Sequence, residues 1–436
     1  SSDLIMTRYG TSIRFLVSNA LSLLGNSVAG IALPLIVLAT TGDALAAGTL
    51  ALVCAIPQVM FGVLGGAVLD RFNRRNVSIV SDVVSAVSVA LLPVVDLLWG
   101  LDFAWFAVLG VLGAVGDIPG MTARDTLAPA VSRRDGMDLQ RYLGLSQSID
   151  SLMTIVGPAV AAFLIGAVGG VNTLWVTAAL SLSAAVVTTT IPRAVGAVRG
   201  ADGSEMPLCA RGAAEDAETP RKRGLMAAAF SSLRTGLRVL LRDDAVLRAS
   251  MLLSLGSVMV FGSFQGLVLP AFFTEAGHPE LLGYVLSAMS AGLLMGTLAY
   301  TALAPRFARR TWYVVSLVGM AASVLALGLL PAFPALLAAA CALGFTSGPV
   351  SALLGFFMLD RIPAASRGSA LGTQNSLMLV VAPAGVFVSS VVVSVAGTAV
   401  AAFALAALWV VVTLAALAAR SMRSLDDEAL EGRDAA

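Results

Sequence analysis

Histidine is almost missing from this 436-residue chain, and so is lysine. His278 is the only histidine and lies beside Pro279 in a short polar stretch, which excludes a histidine proton relay by inventory. The single lysine against 26 arginines is read as codon usage in a GC-rich genome rather than as a site. Cys54, Cys209 and Cys341 make no metal-ligand spacing, and with two of them in apolar runs and one in a polar loop no disulfide is expected. There is no P-loop and no GxSxG. A membrane-embedded enzyme would need a nucleophile, a metal cluster or a cofactor motif, so neither catalysis nor a cofactor is expected. A net charge of +1 gives no reason to expect nucleic acid as a partner.

Charge is scarce as well. Only 12% of residues are charged while 58% are hydrophobic, and the mean hydropathy is +0.90, far outside the range of soluble domains. The chain therefore reads as an all-α integral membrane protein. Twelve apolar runs lie near 13 to 39, 45 to 69, 77 to 98, 103 to 123, 143 to 167, 171 to 191, 247 to 273, 281 to 304, 312 to 330, 334 to 358, 369 to 393 and 397 to 419. Each is about 20 residues or longer, enough at about 1.5 Å per residue to cross roughly 30 Å of hydrocarbon. The first is too long for a cleavable signal peptide and lacks a small-residue cleavage site after it, so none is expected.

Lys and Arg are retained on the cytoplasmic side of a membrane. If the N terminus is cytoplasmic, all 27 of them fall in cytoplasmic segments or at cytoplasmic helix ends, and the outer loops hold only Asp43, Asp96, Asp102, Glu275 and Glu280 as charged residues. A miscounted helix would invert every later loop, so the asymmetry supports the count as well as a plasma-membrane topology with both termini inside.

Four segments follow: a six-helix bundle over 1–191, a cytoplasmic linker over 192–246, a second six-helix bundle over 247–419 and a cytoplasmic tail over 420–436. The first part of the linker is rich in Gly, Ala and charge and reads as flexible. Its second part places Met226, Phe230, Leu233, Leu237, Leu240 and Leu241 at helical spacing beside Arg234, Arg238 and Arg242. That pattern suits an amphipathic helix on the membrane surface or one bracing the halves from below. The halves resemble each other. Gly30-Ile-Ala-Leu-Pro34 recurs as Gly266-Leu-Val-Leu-Pro270, Gly42 and Gly48 as Gly277 and Gly283, and Arg71-Phe-Asn-Arg-Arg75 as Arg306-Phe-Ala-Arg-Arg310, all at offsets of 235 or 236 residues. This implies a tandem duplication about an axis along the membrane normal, with the substrate path between the copies.

The stretch from Gly62 to Arg75, GVLGGAVLDRFNRR, ends an apolar run on an acid and three arginines. Gly66, Asp70, Arg71, Arg74 and Arg75 resemble the loop signature of major facilitator superfamily transporters, a Gly, an Asp-Arg pair and a basic pair. Where that signature carries a second Gly this chain has Asn73, the residue after Gly most at ease with positive φ, so the turn is expected to survive. The resemblance implies the twelve-helix, two-bundle fold over the whole chain, a monomer, and a gating role for Asp70, which would face the start of the eleventh helix near Ser366 or Ser369 and lock the cytoplasmic side. A carboxylate is favoured there by the helix dipole. The second copy has Pro305 in place of that acid. Within the superfamily, Ala32-Leu-Pro34, Pro57, the loop and Asp82 resemble the branch that exports macrolides, other drugs and a siderophore. Gly25-Asn26 and Ser85 depart from it, since that branch often carries Asp and Arg at the positions of Asn26 and Ser85.

Three acids stand at membrane depth: Asp117 near the middle of the fourth run, Asp150 about 10 Å into the fifth and Asp82 about one and a half turns into the third. Acids there mark proton or substrate paths, because apolar surroundings favour the protonated form and so let a carboxyl load and unload a proton. Asp117 is the leading proton-coupling candidate, with Arg124 seven residues on pointing back toward it; Asp82 and Asp150 read as gate or packing residues. The resemblance implies that helices one, four, seven and ten line the cavity. Carried over, these supply Asn19, Asn26, Phe261, Phe264, Gln265, Phe356 and Phe357; Asn375 on helix eleven is a further cavity candidate. Few polar groups among aromatics suit an amphipathic organic molecule better than a sugar. Gly157-Pro158 resembles the element that antiporters of the superfamily carry in helix five, although Ala161 and Ala162 replace its further glycines.

These residues point to a secondary active exporter of hydrophobic or amphipathic small molecules, coupled to inward proton flow. A lysolipid or lipid flippase, or a receptor that binds without moving cargo, could use the same fold. The topology has a direct test. With the native cysteines replaced, Ala308→Cys should react with an impermeant maleimide only after the membrane is opened, and Leu101→Cys should react in intact cells; the reverse pattern inverts the topology.

Overall fold

A computed structural model describes residues 9–196, 234–362 and 367–418. The side chains of 61–71, 140, 242–243, 305, 356–360 and 367–369 lie outside the described set. Twelve helices cross the bundle. In chain order they are α1 Gly10–Thr41, α2 Ala44–Arg71, α3 Arg74–Leu98, α4 Phe103–Arg134, α5 Leu139–Val168, α6 Gly170–Thr189, α7 Ala245–Glu275, α8 Leu281–Leu303, α9 Arg309–Gly328, α10 Phe333–Arg361, α11 Arg367–Ala396 and α12 Thr398–Ala418. Eleven of them are long and apolar enough, over described residues, to span a bilayer; α2 is described by backbone alone beyond Met60. Hydrocarbon offers no partner for backbone polar groups, so spans of this composition become helices.

Side chains start several of these helices. The carboxylates of Asp102, Asp138 and Asp244 accept from the backbone N–H of Trp105, Arg141 and Val246 at 3.1, 3.1 and 2.6 Å, capping α4, α5 and α7. Gly42 ends α1 at φ 63°, and Gly277, its counterpart in the repeat, follows α7 at φ 77°. Both sit in the left-handed region that glycine enters without strain. Asn73 behaves otherwise than expected. Its φ is −63° with extended ψ, and its side chain caps α3 by accepting from Arg75 N at 3.1 Å, so hydrogen bonding rather than positive φ makes the turn.

The chain divides into two compact units, Ser1–Gly42 with Leu52–Met226 and Asp43–Ala51 with Ala227–Ala436. In the first, α1 packs on α5 and α6, and α3 on α4 and α6; in the second, α7 packs on α11 and α12, and α9 on α10 and α12. The same four pairings recur six helices later, which is the duplication expressed in packing. α7 differs from α1 in one respect, a wide π turn over Phe264–Val268 just before Pro270, where α1 carries Pro34 without one. Before α7 a helical segment over 234–243 closes on the second unit. Its Val239 and Leu240 are buried with Leu247, Met251 and Ile362. This is the end of the expected amphipathic helix; Met226, Phe230 and Leu233 lie outside the described residues.

Small residues set how closely helices approach, because hydrocarbon provides no hydrophobic drive between them. On α8 and α10, Gly292, Gly296, Gly344 and Gly348 face backbone across the contact: a Cβ at Gly344 would meet the carbonyl of Met289, and one at Gly296 the carbonyl of Phe345. On the same helix Gly355 has open space around it. Gly344→Ala should therefore cost roughly 1–3 kcal/mol by forcing two backbones apart, while Gly355→Ala should be neutral or slightly stabilising. Thermal unfolding of the two purified variants in detergent compares them, and equal melting temperatures would show that the contact is not tight.

Candidate functional site

The polar interior of the first unit is built where α3 and α4 come closest. Gly113, Gly116 and Gly120 on α4 face Ser88, Ser81 and Val84 on α3, and Ser81 Oγ donates to the Gly116 carbonyl at 2.7 Å. This approach brings Asp82 of α3 within reach of Arg124 of α4. The guanidinium bonds Asp82 Oδ1, which also accepts from Ser22 Oγ of α1 at 3.1 Å. Asp82 is 3% exposed and Arg124 8%, so the pair is sealed from the surroundings. Asp82 Oδ2 and Arg124 Nε are buried without a hydrogen-bond partner among the described residues.

The expected partner of Arg124 was Asp117, and here the structure differs. Seven residues along one helix is about 10 Å of rise, too far for contact, whereas the glycine seam puts Asp82 directly opposite. Asp117 is half-buried at the centre of α4, makes no hydrogen bond or ion pair among the described residues, and feels both Arg124 and Asp82 electrostatically. One guanidinium thus stands among two carboxylates.

Asp150 of α5 accepts from Asn19 Nδ2 of α1 at 3.1 Å. The exposed Asp125, on the turn of α4 after Arg124, lies within electrostatic range of Asp150 and Arg124. Sequence reading missed Asp125 because it falls beyond the apolar run that ended near 123, whereas α4 continues to Arg134. Asn26 is exposed on α1. Gly157 and Pro158 are buried, and Gly157 lies against Ser27 of α1, where any Cβ would collide with the hydroxyl.

In the second unit Phe264 is buried and Phe261 rests against Trp409 of α12 with ring centroids 5.1 Å apart, so both rings are occupied by packing. Gln265 is exposed, its Nε2 3.9 Å from Met289 Sδ, and Asn375 is exposed on α11. The side chains of Phe356 and Phe357 lie outside the described residues, as do those of Gly66, Asp70 and Arg71 and of Ser366 and Ser369. The basic pair of the loop is visible. Arg74 Nη1 reaches the Thr126 carbonyl at 3.5 Å, and Arg75 donates to the carbonyls of Thr188, at 3.2 Å, and Thr189, which are orphan acceptors at the end of α6. Across the second unit Arg361 pairs with Asp244 at 3.5 Å.

Among the described residues no group of three or more His, Cys, Asp or Glu side chains is placed to hold a metal ion. The buried arrangement binds and balances charge within a membrane.

Residues 15–278 match the family model of the Major Facilitator Superfamily. The chain is 29% identical over 405 residues to the multidrug efflux pump Tap of Mycolicibacterium fortuitum, covering 92% of this chain and 94% of that one. To the multidrug efflux pump Tap of Mycobacterium tuberculosis (strain ATCC 25618 / H37Rv) it is 29% identical over 421 residues, covering 96% and 95%. Its fold is similar to that of the crystal structure of the nucleoside transporter NupG, with a TM-score of 0.67 at 15% identity over 94% of this chain and 98% of that one. A match over more than half of its length, on twelve helices paired twice in the same way, means that the chain belongs to the Major Facilitator Superfamily and is a multi-pass membrane transporter rather than an enzyme.

Proposed function

We propose that this protein exports amphipathic organic compounds from the cytoplasm by alternating access of its two six-helix halves, driven by protons moving inward. The likeness to the Tap multidrug efflux pumps over nearly the whole chain supports the cargo class and the direction. Proton coupling rests on one observation, the excess of carboxylates over guanidinium around Arg124. With Arg124 bonded to Asp82, an ionised Asp117 leaves one negative charge unanswered in a low-dielectric interior, and a proton or a cationic group on the cargo neutralises it. Asp117 carries the proton, Asp82 holds Arg124 in place, and Asp70 with Arg71 gates the cytoplasmic side. The basic ends of the helices face the cytoplasm, and the protein works as a monomer in the plasma membrane.

In proteoliposomes with an imposed pH gradient, Asp117→Asn should lose gradient-driven dye transport about tenfold or more while keeping counterflow exchange. A variant that answers the gradient as the unmodified protein does would remove Asp117 from coupling, and failure of the unmodified protein to move any of a drug panel would remove the export reading. Asp82→Asn strands a buried guanidinium and should lower stability by about 3–5 kcal/mol. Adding Arg124→Gln should recover part of the loss in thermal melts; a fully additive double variant would mean that the two side chains are not coupled.

A further inference from the structure

A groove of about 740 Å³ opens at the basic end of the first unit, between the first turns of α3 and the chain leaving α6. Its charged wall is Arg75 and Arg193, with Asn76 beside them; its apolar wall is Ile79, Val80 and Ile191. The two guanidiniums are close enough to repel each other, and no acidic side chain lines the groove among the described residues. Arg75 has a structural task, since it caps α6. Arg193 has none: its side chain is exposed and makes no hydrogen bond or ion pair among the described residues. Two facing cations over an apolar wall fit a ligand that joins an anion to hydrocarbon.

The depth of the groove narrows the choice. Its charged wall stands where the spans Arg74–Leu98 and Gly170–Thr189 begin and end, at the level of lipid headgroups. One turn deeper Val80 is 60% exposed, and Val83 and Val87 continue that exposed apolar track along α3 at helical spacing. We propose that this groove binds one anionic phospholipid, its phosphate between Arg193 and Arg75 and an acyl chain along Val80, Val83 and Val87. Juxtamembrane arginines attract anionic headgroups, and a guanidinium grips a phosphate through paired N–H donors. The inference stands apart from the transport reading, because none of these residues belongs to the Asp82–Arg124–Asp117 group.

The test uses the delipidated full-length protein, titrated with phosphatidylglycerol, phosphatidylcholine or glycerol 3-phosphate and followed by native mass spectrometry and thermal melts. Phosphatidylglycerol should bind and raise the melting temperature, with phosphatidylcholine and glycerol 3-phosphate each at least about fivefold weaker. Arg193→Gln should weaken phosphatidylglycerol about fivefold, the factor carried by one basic residue near a membrane surface. Arg193→Lys should keep most of the binding, and Arg134→Gln, an exposed arginine elsewhere on the basic end, all of it. Four results would overturn the proposal: undiminished binding by Arg193→Gln; equal loss in Arg134→Gln, meaning bulk attraction; glycerol 3-phosphate binding as tightly as the lipid, meaning a free-phosphate site; or no lipid effect at all, meaning that the chain's own acidic linker or nothing fills the groove.

Discussion

A charge inside a bilayer has to be answered by another charge, and the first unit is arranged around one such answer. Arg124 on α4 meets Asp82 on α3, with Ser22 of α1 sharing the same carboxylate oxygen. Three helices are thereby tied at one point by groups that cost several kcal/mol to bury alone. The glycines of α4 are what allow it, since a side chain at Gly120 would strike Ser81 and push Asp82 out of reach. Packing and electrostatics are one constraint here: the seam is close because it is small, and the ion pair exists because the seam is close.

The second unit repeats the architecture without repeating the chemistry. Its described charged side chains all lie at helix ends, and its tightest contact, α8 against α10, is backbone on backbone through four glycines. Where the first unit carries carboxylates at depth, the second carries aromatic packing, as in Phe261 on Trp409. Duplication followed by such divergence leaves one copy to handle charge and the other to supply an apolar frame, consistent with a transporter whose coupling group and cargo wall reside in different halves.

The helices were legible because hydropathy needs only composition over about 20 residues, and all twelve runs reappear as helices. Their ends were less so. α4 continues through Arg124, Asp125 and Arg133 to Arg134, since a helix leaving the bilayer keeps its hydrogen bonds while its side chains turn polar. Asp117 was visible as an acid at mid-depth from position alone. The partner of Arg124 was not, because Asp82 lies 42 residues away in sequence and meets it only after α3 and α4 dock. The glycine spacing on α4 was the one available signal. Phe261 and Phe264 show the converse: their place on helix seven was legible, but what each ring touches depends on α12 and on the surrounding pack.

Asn73 joins two neighbouring features of this fold. Its amide oxygen stops α3 by accepting from Arg75, while its amide nitrogen donates to the Arg193 carbonyl at 3.0 Å. Glycine, the residue usual at this place in the superfamily loop, could do neither, and aspartate only the first. Slow hydrolytic loss of that amide in ageing protein would therefore preserve the helix boundary yet unfasten the strap between the two ends, adding a negative charge beside Arg75 where none was built in.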